Sequence, residues 1–247
     1  MPVLFDHIAL AAPRIAVAPD FLVGELGGLS GFGGPAGEYA FWHWDYPDGG
    51  RIEVIEPCEG PDGDPGGFVH RHLDSRGPGI HHVTFKVPSL KQACERAAAL
   101  GYQVVGFDDS HEHWQEAFLH PKQALGIVVQ MVESAPREEE DEIPEHLRAD
   151  PPPEPDVRPR PVHVIGLRMR SSDRERTLRQ WQELLEGRVE ERAGELFFHW
   201  PGSSMRIAVT LEGHANVSEA IELRADRPLT LPEGPHPVLG TEFRQLD

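Results

Sequence analysis

Cysteine is almost absent from this 247-residue chain, where Cys58 and Cys94 stand alone. Two such residues make neither a disulfide framework nor a metal knuckle or redox pair, and the low usage fits a reducing compartment. Long apolar runs are missing as well. None approaches the roughly 18 residues that a spanning helix needs, and the start, MPVLFDHIALAAPRI, lacks the cationic flank of a signal peptide. Cations are scarce: 23 Lys and Arg stand against 41 Asp and Glu, a formal charge of -18. That charge repels phosphate backbones, and no basic patch interrupts it. These absences exclude a disulfide scaffold, a membrane span and a nucleic-acid partner. They predict a soluble, cytoplasmic protein whose partner is a small molecule.

What the chain does have is proline in one place. Between Ser134 and Val162 it reads SAPREEEDEIPEHLRADPPPEPDVRPRPV, with eight prolines and nine acidic residues. Pro fixes its own φ and biases its predecessor toward extended backbone, and like charges repel, so this stretch reads as an extended or disordered tether. It divides the chain into a domain over 1–134, a linker over 135–160 and a domain over 161–247.

Before the linker the chain repeats itself at a spacing of about 75 residues, since FDHIALAAP (5–13) matches IHHVTFKVP (80–88). Each run alternates, ends at Pro and leads into a helical segment that stops at Leu-Gly, at Gly27 and Gly101. In the second copy Leu90, Ala93, Cys94, Ala97 and Ala98 form an apolar helical stripe, which predicts that Cys94 is a core residue. Three strands follow in each copy, ending in RIEVIEP (51–57) and GIVVQMVE (126–133). Each copy is therefore βαβββ. The Gly-rich LGGLSGFGG (26–34) lacks the Lys-Ser/Thr of a P-loop and reads as a flexible connector. A third copy begins at VIGLRMRS (164–171), and its FHWPGSSMRIAV (198–209) echoes WHWDYPDGGRIEV (42–54). A fourth is shortened to AIELRAD (220–226) and VLGTEFRQL (238–246). The predicted fold class is α+β, with paired βαβββ modules forming a cupped mixed sheet and a second, degenerate and shortened copy.

His7 and Glu53 lie on the first and last strands of copy one, His82 and Gln130 on those of copy two, at spacings of 46 and 48. If a local two-fold axis relates the copies, these four positions converge on it. Two imidazoles, a carboxylate and an amide oxygen suit one divalent ion such as Zn, Ni, Co, Mn or Fe(II), with places left for substrate. Taken singly, each has a structural reading: His7 as a hydrogen-bonded strand histidine, Glu53 and Gln130 as solvent-facing or partnered strand residues. Their coincidence at matched positions favours the metal.

DHIALAAP, RIEVIEP, FVHRHLDSRGPGIHHVTFKV and FLHPKQALGIVVQMVE resemble the vicinal oxygen chelate superfamily, the glyoxalase, bleomycin-resistance and extradiol-dioxygenase group. Over residues 4–134 the likeness is greatest to the methylmalonyl-CoA epimerase family. The resemblance implies a metal inside an open sheet, with ligands at His7, Glu53, His82 and Gln130. It prefers His82 to His81, because DHIAL aligns with HHVTF on the second histidine. The implied chemistry is that of a metal-dependent isomerase or lyase: a carbonyl or acyl-thioester is polarised, an enolate forms at the metal, and a base moves the proton.

Two departures from the epimerase pattern matter. Gln130 stands where the family carries glutamate, and Glu53 stands where the epimerase resembles a glutamine site. Glu53 is thus the candidate base. Glu38, His43, His111 and His113 are weaker candidates for a second base, each also readable as surface or structural. Lys122 in HPK is a candidate for an anionic substrate group, against a reading as a solvated turn. At the third copy Gly166 and Ala208 replace His7 and Glu53. That half is expected to be metal-free, covering the active domain or making a homodimer contact. The alternatives are an extradiol-type dioxygenase and a metal-free, drug-binding protein.

Overall fold

A computed structural model of the chain describes residues 2–58, 67–111, 113–134, 149–213 and 215–247. Residues 135–148 of the tether, and His113's neighbour at 112, lie outside this set; residues 149–160 carry neither helix nor strand. Among the described residues no helix is long and apolar enough to cross a membrane.

Copy one contributes β1 (Leu4–Ala11), α1 (Pro19–Leu22), β2 (Leu29–Ala36), β3 (Tyr39–Asp45) and β4 (Arg51–Pro57). Copy two contributes α2 (Phe68–Arg76), β5 (Gly79–Lys86), α3 (Leu90–Ala99), β6 (Val104–Asp108), β7 (Trp114–Leu119) and β8 (Val128–Ser134). These eight strands form one sheet in the order β2-β3-β4-β1-β5-β8-β7-β6. The order is a palindrome about β1 and β5, as a duplicated βαβββ unit requires. In each half the first strand pairs in parallel with the last, Ala9 opposite Glu53 and Thr84 opposite Gln130.

The later copies supply β9 (His163–Arg170), α4 (Arg174–Leu178), β10 (Arg188–Arg192), β11 (Glu195–His199), β12 (Arg206–Thr210), β13 (Val217–Arg224) and β14 (Glu242–Gln245). They form a six-stranded sheet ordered β10-β11-β12-β9-β13-β14. Its first half repeats the module whole; the second keeps the first and last strands and lacks the two between.

The chain forms two compact units, Met1–His7 with His82–Asp141 and Ile165–Ala220, and Ile8–His81 with Glu142–Val164 and Ile221–Asp247. In the first, an aromatic core joins copies two and three: Phe5 stacks on Phe85 at 4.9 Å, and Phe85 packs on Trp200 at 4.7 Å and on Trp181 at 5.9 Å. The Trp200 indole donates to the Leu185 carbonyl, which satisfies its one polar atom in this apolar setting. In the second, Phe21 meets Phe243 edge-on at 4.7 Å, and Arg227 pairs with Glu25.

Three local expectations need correction. The Gly-rich stretch is not a connector: Leu29–Ala36 is edge strand β2, paired to β3 with a register shift between Ser30 and Gly33. Glycine there spares the closely approaching β3 backbone, since a Cβ on Gly33 would lie 2.0 Å from the Phe41 carbonyl oxygen. The first helix shrinks to one four-residue turn at Pro19 after a 3-10 turn at Ile15–Val17. In α3 the buried stripe is Leu90, Ala93 and Ala97, while Cys94 is only half-buried and Ala98 is exposed. A ten-residue helix on a sheet covers one narrow stripe, and those two residues fall on its shoulder.

Candidate metal centre

The parallel pairing of β1 with β4 sets Glu53 beside Ala9, and His7 lies two residues back along the same strand. His7, Glu53 and His82 each offer a ligand atom, and these atoms all lie within 4.8 Å of one another. All three side chains are buried, at 1%, 6% and 6% exposure. Burying an imidazole pair and a carboxylate without partners would cost several kcal/mol, so the surrounding contacts matter.

His7 and Glu53 are held by buried polar neighbours. The His7 Nδ1 faces Asp6 Oδ2 at 2.8 Å, and the buried Lys86 ammonium lies 3.9 Å from the other Asp6 oxygen. His7 Nε2 stands 2.8 Å from the Thr84 hydroxyl, which donates to Gln130 Oε1 at 2.5 Å. The Gln130 amide in turn donates to Glu116 Oε2 at 2.7 Å. Glu53 is met by His43, its direct partner across β3 and β4, at 2.9 Å from Nε2 to Oε2. A polar stripe thus runs from His7 through Thr84 and Gln130 to Glu116, and a second joins Glu53 to His43.

The flank of this stripe is aromatic. The His43 ring lies 4.8 Å from Phe32 and 5.3 Å from Phe41, both half-buried. Helix α2 closes the same face of copy one: Val69 is buried with Ala11 and Ile55, and Tyr39, Phe41, Phe68 and Leu73 pack around them. His72 on this helix lies 5.0 Å from His81. Its burial, reinforced by the Arg76 charge, lowers its pKa to about 4.

The donor set fits a borderline divalent ion. Two imidazoles and a carboxylate are gathered at ligand spacing, and Asp6 holds Nδ1 of His7, the outer partner usual for ligating histidines, so Nε2, which lies against Thr84, would be the atom turned to an ion. Gln130 joins the group through Thr84. Lys122 is not brought to it: the residue is exposed in the turn between β7 and β8, its backbone N–H directed at His120 Nδ1. Of the weaker candidates, His43 is at the centre and buried at 3%. Glu38, His111 and His113 do not enter the stripe's hydrogen bonds.

Thr84, Asp6 and Glu116 escaped the reading of the sequence. Thr84 had a signal, because it follows His82 by two residues and so shares its face. Asp6 adjoins His7 in DHI. Glu116 had none, since nothing in β7 reveals which β8 residue it meets.

The second sheet reproduces the register without the chemistry. Arg168 pairs with Ala208 as Ala9 does with Glu53, so Gly166 stands where His7 does. Gly166 has φ +138°, and a Cβ there would lie 1.9 Å from the Arg206 carbonyl oxygen. Arg168 instead bridges Glu195 and Thr210, and Arg206 lies over the Phe197 ring at 4.7 Å.

Comparison with known proteins agrees with this architecture. Residues 6–118 match the model of the Glyoxalase/Bleomycin resistance protein/Dioxygenase superfamily. A crystal structure of a hypothetical protein from Staphylococcus aureus covers 100% of both chains at 12% identity with a TM-score of 0.64. A mutant 4-hydroxymandelate synthase from Streptomyces coelicolor covers 92% of this chain and 72% of its own at 12% identity and a TM-score of 0.60. Methylmalonyl-CoA epimerase from Mycobacterium tuberculosis covers 54% of this chain and 89% of its own, with 24% identity and a TM-score of 0.48. No curated protein sequence matches the chain.

Proposed function

From the match of residues 6–118 to the model of the Glyoxalase/Bleomycin resistance protein/Dioxygenase superfamily, we propose that the chain is a cytoplasmic, metal-dependent isomerase or lyase acting on a small carbonyl or acyl-thioester substrate. The observation that carries this reading is the buried gathering of His7, Glu53 and His82 at ligand spacing. These three would hold the ion, and Gln130, which reaches them through Thr84, would be a fourth donor. A bound divalent ion supplies Lewis acidity that makes a carbon acid next to a carbonyl easier to deprotonate.

The chain's own groups do the proton work. Glu53 is the base, with one carboxylate oxygen 2.9 Å from His43 Nε2. His43 keeps the carboxylate oriented and receives part of the charge change when Glu53 takes a proton. Phe32 and Phe41 beside His43 exclude water from that pair and strengthen its hydrogen bond. Lys122 meets an anionic part of the substrate only if the β7–β8 turn moves toward it. Catalysis belongs to residues 1–134 in this reading, with 135–160 as tether and 161–247 as a module without ligands.

A second reading has its own observation. Two histidines and one carboxylate form the donor set of non-haem Fe(II) oxygenases, so an extradiol-type dioxygenase fits the same three residues.

Elemental analysis of protein purified without chelator tests both. About one divalent ion per chain, lost in His82→Ala, supports an enzyme, and oxygen uptake with a catechol then separates dioxygenase from isomerase. No ion after incubation with Co, Ni, Mn, Zn and Fe(II) refutes both and leaves a ligand-binding protein.

A further inference from the structure

A glutamine can serve a metal only through its oxygen, yet the two ends of its amide have nearly the same shape. Which end faces the site is decided by what holds the other. For Gln130 that neighbour is Glu116, on the adjacent strand and on the same face, because Gln130 registers with Phe118 and Glu116 is two residues along. Gln130 Nε2 donates to Glu116 Oε2 at 2.7 Å, and the Trp114 indole N–H donates to the same oxygen at 2.8 Å. A carboxylate has no proton to give, so it selects the NH2 end of the amide. Turned over, Gln130 would set its oxygen against a carboxylate oxygen, with both as acceptors, on a side chain only 5% exposed. The oxygen therefore faces Thr84, whose hydroxyl lies 2.5 Å from it and 2.8 Å from His7 Nε2.

Copy one needs no such device. Its matched residue is Glu53, whose two ends are both oxygens, and its neighbour is the imidazole of His43 rather than an acid. The acid at 116 thus accompanies the proposed ligand whose amide could turn its NH2 end inward in place of its oxygen.

We propose that Glu116 is a positioning residue: by holding the Gln130 amide NH2, and itself held by Trp114, it aims the amide oxygen at His7 and the metal position. The proposal rests on the metal reading above and deepens it. Glu116 reaches the ion only through Gln130, so its effect depends on what stands at 130.

Co(II) titration of chelator-stripped protein, followed by the visible d–d absorption, provides the test without any substrate. Glu116→Leu weakens Co(II) binding by about 10- to 100-fold, the range for lost outer partners of metal ligands. Gln130→Ala weakens it comparably, and adding Glu116→Leu to Gln130→Ala costs nothing further. In a Gln130→Glu background the sign reverses, because two carboxylates then face each other and Glu116→Leu tightens binding. Circular dichroism confirms that each variant is folded. Wild-type affinity in Glu116→Leu, or an equal loss in the Gln130→Ala background, overturns the proposal. Failure of the wild type itself to bind Co(II) removes the metal reading and this proposal together, an outcome distinct from the other two.

Discussion

His43 and Glu53 sit directly opposite each other on β3 and β4, with the imidazole Nε2 2.9 Å from the carboxylate and both side chains buried. Removing either deletes this buried contact. His43→Leu is expected to lower stability by about 1–3 kcal/mol, the cost of a lost hydrogen bond at a buried acceptor, measured as a shifted urea midpoint at unchanged slope. Glu53→Gln keeps an oxygen for the ion but cannot take a proton. In D2O with a panel of enolisable thioesters and 2-oxo acids, it is expected to slow deuterium incorporation by about 100- to 10,000-fold. Retained exchange in this variant would remove Glu53 from the role of base.

Thr84 is fully buried, and its single hydroxyl serves both His7 and Gln130. Thr84→Val keeps the shape and deletes that hydroxyl. The metal-free protein is expected to lose about 1–3 kcal/mol, since two buried polar groups lose a partner. Calorimetry of wild type and variant in chelator checks this; an unchanged Tm would mean that water replaces the hydroxyl.

Gly166→Ala tests the second sheet. Its φ of +138° and the 1.9 Å approach to the Arg206 carbonyl leave no place for a side chain. The substitution is expected to cost about 3 kcal/mol or more, through strain and backbone displacement. Gly166→His would for the same reason unfold this region rather than rebuild a ligand, seen as lost near-ultraviolet dichroism without gain of metal.

His72 gives stability a pH dependence with a definite sign. Its folded pKa is lowered to about 4 by burial and Arg76, against about 6.5 when unfolded. Between these values the unfolded chain binds more protons, so stability rises with pH, and this contribution is lost as pH falls from about 6.5 toward 4. His72→Gln should flatten that part of a urea-midpoint profile. An identical slope in the variant would assign the dependence to other groups.

The fold was largely legible because duplication is visible in strand patterns. FDHIALAAP and IHHVTFKVP alternate at period 2, end at the same Pro and mark the two strands on which the palindromic sheet turns. That match also nominated His7 and His82 as a pair. Legibility stopped where cross-strand register took over. His43 read as a weaker base candidate, surface or structural, because nothing in WHWDY says that its neighbour is Glu53, and Glu116 met Gln130 by a register no local pattern encodes. Strand β2 was hidden by its glycines, which mimic a loop while serving close backbone approach. Lys122 was nominated by the HPK motif, a local string, and local strings do not report where a turn points.

The palindromic order of the eight-stranded sheet has a stereochemical consequence. A perfectly duplicated protein would offer any ligand on its central line two identical docking directions. Here one flank carries an imidazole-backed carboxylate and the other an acid-held amide. The two sides therefore present different donors, so in the proposed reaction a prochiral molecule would have two unequal orientations.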